Sequence, residues 1–250
     1  MRRILILLLF IFCIPFGFAQ IVNIEGQRYK TDTTGWKGEF NVGFVFGKQK
    51  DKYFAFSSNA HVQYKSKKSL YLLLGSLIIF KTSHEEVING GFFHFRYNYK
   101  IKKWLRWEAF TQVQYNKLVG IRMRYLIGTG PRFKLAENKV FKGYLGTLYM
   151  LEYEINNDKT QKLVEGRFSG YFSFSLEPTK NIEIVSTTYF QPKFELTKDF
   201  RVSTENRIDF MFHKFLSFGL NYKLTYDSKP PEGASTKLFY NLENTFKVRF

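Results

Sequence analysis

The chain has 250 residues, with 38 Lys and Arg against 21 Asp and Glu, which gives a formal charge of +17. Aromatic residues make up 19% of the chain, whereas disordered chains are poor in them. The only apolar run close to the ~20 residues that a membrane helix needs stands at the N-terminus, so a bundle of membrane helices is excluded. The length allows one large all-β domain or two small domains.

The N-terminal segment has the pattern of a secretory signal peptide. A positively charged start, residues 1–3, is followed by an apolar stretch, residues 4–16, and by the small residue Ala19 before the expected cleavage point. We expect residues 1–19 to be removed and the mature chain to be exported, with a retained anchor helix as the alternative. The single cysteine, Cys13, lies in this segment, so the mature chain is expected to contain neither a disulfide nor a cysteine-based metal site.

The rest of the chain alternates apolar and polar residues with a period of two, which is typical of β-strands. In one segment, for example, Trp107 and Val113 share one face while Arg106 and Glu108 share the other. The pattern predicts twelve strands, at residues 36–47, 53–65, 70–80, 88–100, 104–116, 122–135, 140–155, 163–177, 182–191, 200–211, 216–227 and 237–250. The alternation is weakest in the third and ninth of these. A tilted strand crosses a membrane with ~9–11 residues, so each predicted strand is long enough to span one.

This alternation fits either a soluble sandwich with buried apolar faces or a membrane barrel whose apolar faces contact lipid. The signal peptide, the charged residues in the middle of the polar faces and the aromatic residues near strand ends favour the barrel. Connections after even-numbered strands are tight and most others are longer, as in outer-membrane barrels with periplasmic termini. We therefore predict a short periplasmic segment, residues 20–35, and one all-β domain, residues 36–250. This domain is predicted to be a single antiparallel up-and-down transmembrane β-barrel of about twelve strands in the outer membrane of a Gram-negative bacterium.

The predicted site residues fall into three sets. Charged residues on the polar faces are expected to line the lumen: Arg96, Arg106, Glu108, Arg122, Arg124, Arg132, Arg167 and Arg207. Aromatic residues near strand ends are expected at the membrane interfaces: Trp36, Tyr64, Tyr97, Tyr115, Tyr125, Tyr149, Tyr226 and Tyr240. The last strand resembles the signal that the barrel assembly machinery reads, through Tyr240, Phe246, Val248 and Phe250.

Residues with catalytic or metal-binding chemistry are sparse. Glu152 and Glu154 share one strand face and are expected to meet lumen arginines, while His61 and His94 are expected to be polar lining. No His-x-x-x-His pair and no Gly-x-Ser-x-Gly motif occurs. We therefore predict no cofactor, no metal and no enzymatic activity; a hydrolase would need a serine and a histidine that only the fold brings together.

Three short motifs resemble landmarks of an uncharacterised outer-membrane barrel family, a domain of unknown function that includes the salt-induced outer-membrane protein. They are Gly35-Trp36-Lys37-Gly38, the stretch from Arg124 through Gly128 and Gly130 to Arg132, and Tyr226-Asp227-Ser228-Lys229-Pro230-Pro231. Lys48 and Lys237 depart from the family, which often has Asn and Asp at these positions. The resemblance implies an outer-membrane location and brings no established activity.

The surplus of lumen arginines and lysines leads to a functional hypothesis. Rings of Arg and Lys favour anions, so we expect a narrow passive channel with an Arg/Lys-biased lumen for small anionic solutes. The alternative is a non-conducting structural barrel, or a subunit of an envelope complex, whose lumen is closed by Arg–carboxylate pairs. Expected partners are outer-membrane lipid and the barrel assembly machinery. Nucleic acid is disfavoured because the basic residues are interleaved across the chain.

Overall fold

The computed structural model describes residues 33–48, 51–84, 86–117, 120–156, 162–213, 215–230 and 236–248. Within them lie twelve strands: β1 (Gly35–Lys48), β2 (Lys52–Lys65), β3 (Ser69–Thr82), β4 (Glu86–Lys100), β5 (Leu105–Asn116), β6 (Ile121–Glu137), β7 (Phe141–Asn156), β8 (Lys162–Thr179), β9 (Ile182–Pro192), β10 (Phe200–His213), β11 (Leu216–Asp227) and β12 (Leu238–Val248). The predicted signal peptide, most of the segment 20–35 and Phe250 lie outside the described residues. No helix within the described ranges is long and apolar enough to cross a bilayer.

The strands form one antiparallel sheet in chain order, so each strand pairs with its neighbours in sequence. This confirms the predicted all-β class, the up-and-down topology and the strand count, including β3 and β9, where the alternation is weakest. No pairing between β1 and β12 occurs among the described residues. Closure of the barrel between these two strands stays a prediction.

The sheet is strongly curved, because side chains from strands three positions apart meet on one face. Neighbouring strands are ~4.8 Å apart, so β5 and β8 would be separated by ~14 Å in a flat sheet. Nevertheless, the Tyr171 hydroxyl on β8 donates a hydrogen bond to Glu108 on β5 at 2.7 Å. Arg201 Nη1 on β10 likewise reaches Glu152 Oε2 on β7 at 2.6 Å. We call the face where these side chains meet the concave face, and the opposite one the convex face.

The distribution of polarity between the faces is the reverse of that in a soluble protein, which buries its large apolar residues. Among the described residues, 22 polar or charged residues and nine apolar ones are buried. The convex face exposes large apolar side chains instead, including Trp36 (73% exposed), Ile127 (60%) and Phe246 (71%). The hydrophobic effect in water therefore cannot account for this arrangement, and an apolar environment around the convex face can.

Candidate functional site

One cluster of charged residues on the concave face is centred on Glu108, which is fully buried. Glu108 accepts hydrogen bonds from Asn98 Nδ2 at 2.6 Å and from the Tyr171 hydroxyl at 2.7 Å. It also forms ion pairs with Arg96 at 3.4 Å and Arg132 at 3.2 Å. These five residues, which we call the Glu108 cluster, lie on β4, β5, β6 and β8. Two guanidinium groups thus pair with the same carboxylate.

Aromatic rings cover the arginines of the Glu108 cluster. The guanidinium of Arg132 lies 4.1 Å from the ring centroid of Tyr144, and that of Arg96 lies 5.2 Å from the centroid of Phe110. Both arginines also lie about as close to the Tyr171 ring, at 5.8 and 6.0 Å. A ring face attracts a cation, most strongly where water is excluded. The rings therefore compensate part of the positive charge of the two arginines.

A second cluster of charged residues surrounds Glu152 on β7, beyond Met150 towards the long connections. Glu152 contacts Arg201 Nη1 at 2.6 Å, Arg124 Nε at 3.0 Å and Arg167 Nε at 3.4 Å. All four side chains are buried. Together with the remaining carboxylates around these arginines, they form what we call the Glu152 cluster: Arg124, Glu152, Glu154, Glu165, Arg167, Asp199, Arg201 and Asp227.

Each arginine of the Glu152 cluster has a carboxylate besides Glu152. Arg124 pairs closely with Glu154. Arg167 Nη2 bonds Glu165 at 2.7 Å and Asp199 at 3.0 Å. Arg201 Nε bonds Asp227 Oδ2 at 2.9 Å. The cluster is therefore a network with several acceptors, which ties β6, β7, β8, β10 and β11 to the β9–β10 connection.

A buried apolar layer separates the two clusters on the concave face. It consists of Phe110, Leu148, Met150, Tyr171 and Tyr189, with Leu126 packed against it. Two glycines make room for its rings, because a Cβ on Gly128 would meet the Phe110 ring and a Cβ on Gly146 would meet the Tyr171 ring. The two clusters and this layer thus fill part of the concave side with packed side chains from β4 to β11.

The remaining part of the concave face is more open. Every residue of β1 except Gly35 and Gly47 is exposed. On β10 and β11, Arg207 and Lys223 are 40% and 46% exposed. Arg207 Nε lies 2.7 Å from Asp209, and Lys223 Nζ lies 3.7 Å from Glu205. The cations on this side are thus also accompanied by carboxylates.

The predicted lumen residues divide into two groups. Five of them belong to the two clusters: Arg96, Glu108, Arg124, Arg132 and Arg167. Arg106 is half-buried, with its guanidinium 5.7 Å from the Tyr144 ring centroid, and Arg207 lies on the open side. Arg122 is exposed and does not join Arg124, because a register shift between Ile121 and Met123 interrupts the alternation at that point.

The predicted interface aromatics lie on the convex face. Ring contacts connect Trp36 to Tyr64, Tyr64 to Tyr71 and Tyr71 to Tyr97, with centroids 4.8, 6.1 and 4.9 Å apart. At the other end of the strands, contacts of 6.1, 5.3 and 5.8 Å join three further pairs: Tyr125–Tyr153, Tyr149–Phe194 and Phe200–Tyr226. Tyr115 is half-buried and Tyr240 is exposed.

Of the predicted assembly signal, Tyr240, Phe246 and Val248 are exposed on the convex face of β12.

The histidines with predicted lining roles lie on the concave face of β2 and β4. His94 is buried; its Nδ1 is 2.9 Å from Gln112 Oε1, and its Nε2 accepts a hydrogen bond from Arg96 Nε at 3.3 Å. His61 is half-buried. Within the described ranges, no group of three or more His, Cys, Asp or Glu residues is suited to hold a metal ion.

Among the cluster residues that the predicted site residues do not include are Asn98, Tyr171, Asp199 and Asp227. Tyr171 shares the face of Glu165 and Arg167 by alternation along β8, which is the signal that could have identified it. Asp227 lies within a motif used above only as a family landmark. Asp199 belongs to a connection, where no periodicity indicates direction.

Comparison with known proteins gives a family for this chain. The family described as "Protein of unknown function, DUF481" matches residues 30–246, so the chain belongs to it. No curated protein matches the sequence. Two solved structures are similar in part. A NanC porin in a rhombohedral crystal form has 7% identity and a TM-score of 0.48, with 86% of this chain and 98% of that chain covered. A bacterial polysaccharide outer membrane secretin has 11% identity and a TM-score of 0.44, with 86% of each chain covered.

Proposed function

We propose that this chain is an outer-membrane β-barrel closed by its own side chains, which acts as a structural component of the envelope or of an envelope complex. The observation that carries the proposal is the filled concave face, where the Glu108 cluster, the apolar layer and the Glu152 cluster follow one another along the strands. Such a barrel contributes a rigid wall and two rims, and its role involves no catalysis.

The charge balance of the buried residues supports a closed interior. Among the described residues, the buried carboxylates are Glu108, Glu152, Glu154, Glu165, Asp199 and Asp227, and the buried guanidinium groups are those of Arg96, Arg124, Arg132, Arg167 and Arg201. An anion-selective pore needs cationic groups that are accessible and not already neutralised. Here the buried arginines are matched by a comparable number of carboxylates. These paired side chains therefore close the interior and do not attract anions.

The exposed convex face supports the membrane location. Large apolar side chains exposed to water over a whole sheet face would cause aggregation, whereas acyl chains solvate them. Aromatic rows near both strand ends fit the two interfaces of a bilayer. When a Gram-negative host expresses the full chain, we expect the protein in the detergent-resistant outer-membrane fraction. Recovery as a soluble periplasmic protein would contradict this part of the proposal.

Conductance measurements test the closed interior. We expect the refolded mature chain to insert into planar bilayers without discrete current steps, and to leave the swelling rate of proteoliposomes in small sugars unchanged. The double variant Glu152→Ala with Arg201→Ala removes a central ion pair from the filled region and is expected to introduce current steps. The matched control, Glu205→Ala with Lys223→Ala, removes an ion pair on the open side. Steady conductance of the unaltered protein would overturn the proposal.

A passive channel is the second candidate, supported by the open side of the concave face. The half-exposed Arg207 and Lys223 offer a polar route past the filled region. Because Asp209 and Glu205 accompany these cations, such a route would discriminate weakly between anions and cations. A reversal potential close to zero in a salt gradient, together with current steps in the unaltered protein, would favour this candidate.

Biogenesis through the barrel assembly machinery forms part of the proposal. The exposed Tyr240, Phe246 and Val248 on β12 present an apolar edge strand to a partner. We expect Phe246→Ala to reduce the amount of folded protein in the outer membrane while refolding of the purified variant into vesicles proceeds as before. Loss of refolding in vesicles as well would indicate a structural role only.

A further inference from the structure

The short turns of the sheet are unusually rich in lysine. Four of them are described, at residues 66–68, 101–104, 138–140 and 180–181, and all lie at one end of the meander because they follow even-numbered strands. They contain six lysines and no Asp or Glu: Lys67, Lys68, Lys102, Lys103, Lys139 and Lys180. Every one of these side chains is exposed. We call this set the lysine rim.

The opposite end of the sheet lacks this bias. In the sequence, its connections contain Lys50, Lys117, Lys159, Lys193, Lys198, Lys229 and Lys237. The same connections contain Asp51, Glu85, Asp158, Glu195, Asp199 and Glu232, so their charges nearly cancel. The lysine rim is therefore a property of one end and not a consequence of the overall charge of +17.

The lysine rim lies next to one of the aromatic rows. Tyr64 precedes the first described turn by two residues, a distance of ~7 Å along a strand. Trp104 lies in the second turn itself, where Lys102 Nζ is 5.8 Å from its ring centroid. Aromatic rings of this kind mark the boundary between acyl chains and headgroups. Ammonium groups within a few residues of that boundary reach the level of the lipid phosphates, where long lysine side chains extend readily.

Two acidic residues close to the lysine rim have cationic partners on the strands. Glu137 at the end of β6 pairs with Lys134 of its own strand. Glu183 at the start of β9 lies 3.7 Å from Arg207 on β10. Glu177 lies near the end of β8. Strand-end lysines, Lys65, Lys100 and Lys142, add further positive charge.

We infer that the lysine rim binds anionic phospholipid headgroups of the leaflet that faces the short turns. The inference rests on the proposed membrane location. The ligand chemistry is a phosphodiester with a net negative charge, as in phosphatidylglycerol. The lysines are distributed with one or two in each turn, so they match a ring of single lipids around the barrel better than one compact protein epitope. Electrostatic attraction of lysine to an anionic membrane surface is a general effect.

Tryptophan fluorescence offers a local test, because the three tryptophans lie at this end. Trp36 is the second residue of β1, Trp104 lies in a short turn and Trp107 is the third residue of β5. The refolded mature chain is placed in phosphatidylcholine vesicles that contain a minor fraction of either brominated phosphatidylglycerol or brominated phosphatidylcholine. Bromine on the acyl chains quenches tryptophans that contact that lipid. We expect brominated phosphatidylglycerol to quench more strongly than brominated phosphatidylcholine. Its association constant for the protein should be roughly fivefold higher.

Two variants that lose the same number of charges show which lysines cause the preference for phosphatidylglycerol. Replacement of all six lysines of the rim by Gln is expected to bring the ratio of the two quenching efficiencies to one. The control replaces six exposed lysines at the opposite end by Gln: Lys48, Lys52, Lys81, Lys117, Lys198 and Lys229. It is expected to keep the preference. Raised salt should weaken the preference of the unaltered protein, because exposed charges are screened.

The outcomes separate the inference from the proposed function. Equal quenching by both brominated lipids in the unaltered protein would overturn the lysine rim as a lipid site while leaving the membrane location intact. Equal loss of preference in both variants would attribute the effect to net charge and would also overturn the inference. Absence of quenching by either brominated lipid would contradict the membrane location, and the inference would be lost with it.

Discussion

The two ion clusters of the concave face neutralise their buried arginines in different ways. In the Glu108 cluster, one carboxylate serves Arg96 and Arg132, and aromatic rings supply the remaining compensation. In the Glu152 cluster, three arginines meet five carboxylates, so every arginine keeps an acidic partner if one is lost. Both clusters are buried to a similar degree.

The difference indicates that redundancy, more than burial, decides how much a single charged residue matters. A buried ion pair contributes little net stability, but removal of one partner leaves an uncompensated charge in a buried region. We expect that penalty to be larger where one carboxylate pairs with two arginines than where each arginine also contacts another carboxylate. Matched substitutions in the two clusters test this directly.

The largest effect is expected for Glu108→Gln. The substitution preserves the shape of the side chain but removes the carboxylate charge that pairs with two buried guanidinium groups, so we expect the free energy of unfolding to fall by about 3–5 kcal/mol. Urea unfolding of the protein in phospholipid vesicles, followed by circular dichroism, measures the change. The double variant Glu108→Leu with Arg96→Met removes one charge of each sign and should be less destabilised. If Glu108→Gln lowered the free energy of unfolding by less than Glu152→Gln, the proposed difference between the two clusters would be wrong.

A steric effect of intermediate size is expected in the apolar layer between the clusters. A Cβ on Gly146 would overlap the Tyr171 ring, which is also held in place by its hydrogen bond to Glu108. We expect Gly146→Ala to reduce the free energy of unfolding by about 2–3 kcal/mol, as overpacking does. Gly75→Ala is the control, because its Cβ would have no neighbour closer than 3.8 Å. Equal stability of the two variants would show that Tyr171 is free to move.

A smaller effect is expected for Glu152→Gln. Arg124 retains Glu154, Arg167 retains Glu165 and Arg201 retains Asp227, so no guanidinium loses its last carboxylate. We expect a loss of about 1.5 kcal/mol, the lower end of the range for hydrogen bonds to a charged group. The same urea series measures it. If the loss equals that of Glu108→Gln, the additional carboxylates provide no substitute and the redundancy argument fails.

The sequence predicts the strands far better than the clusters. Alternation places Arg96 and Glu108 on polar faces because it requires only the period of a single strand. The contact of Tyr171 with Glu108 spans three strands, so it depends on curvature, which no local pattern encodes. Arg122 shows that alternation can also fail within a strand. One extra residue in β6 interrupts the period there, so the side chain of Arg122 does not join that of Arg124. Asp199 reaches Arg167 from a connection, where the backbone path sets the direction of the side chain.

The smallest effect is expected for Arg207→Gln on the open side of the sheet. Arg207 pairs with Asp209 at 2.7 Å and lies 3.7 Å from Glu183, so by distance alone it matches the buried pairs. However, its side chain is 40% exposed, and water solvates both the arginine and the carboxylates that remain after substitution. We expect a change of at most about 0.5 kcal/mol, as for surface ion pairs. A loss of several kcal/mol would mean that the open side is sealed from water when the barrel is in a membrane. In that case closure between β1 and β12 would extend the filled region to Arg207, and the contrast between the two sides of the concave face would disappear.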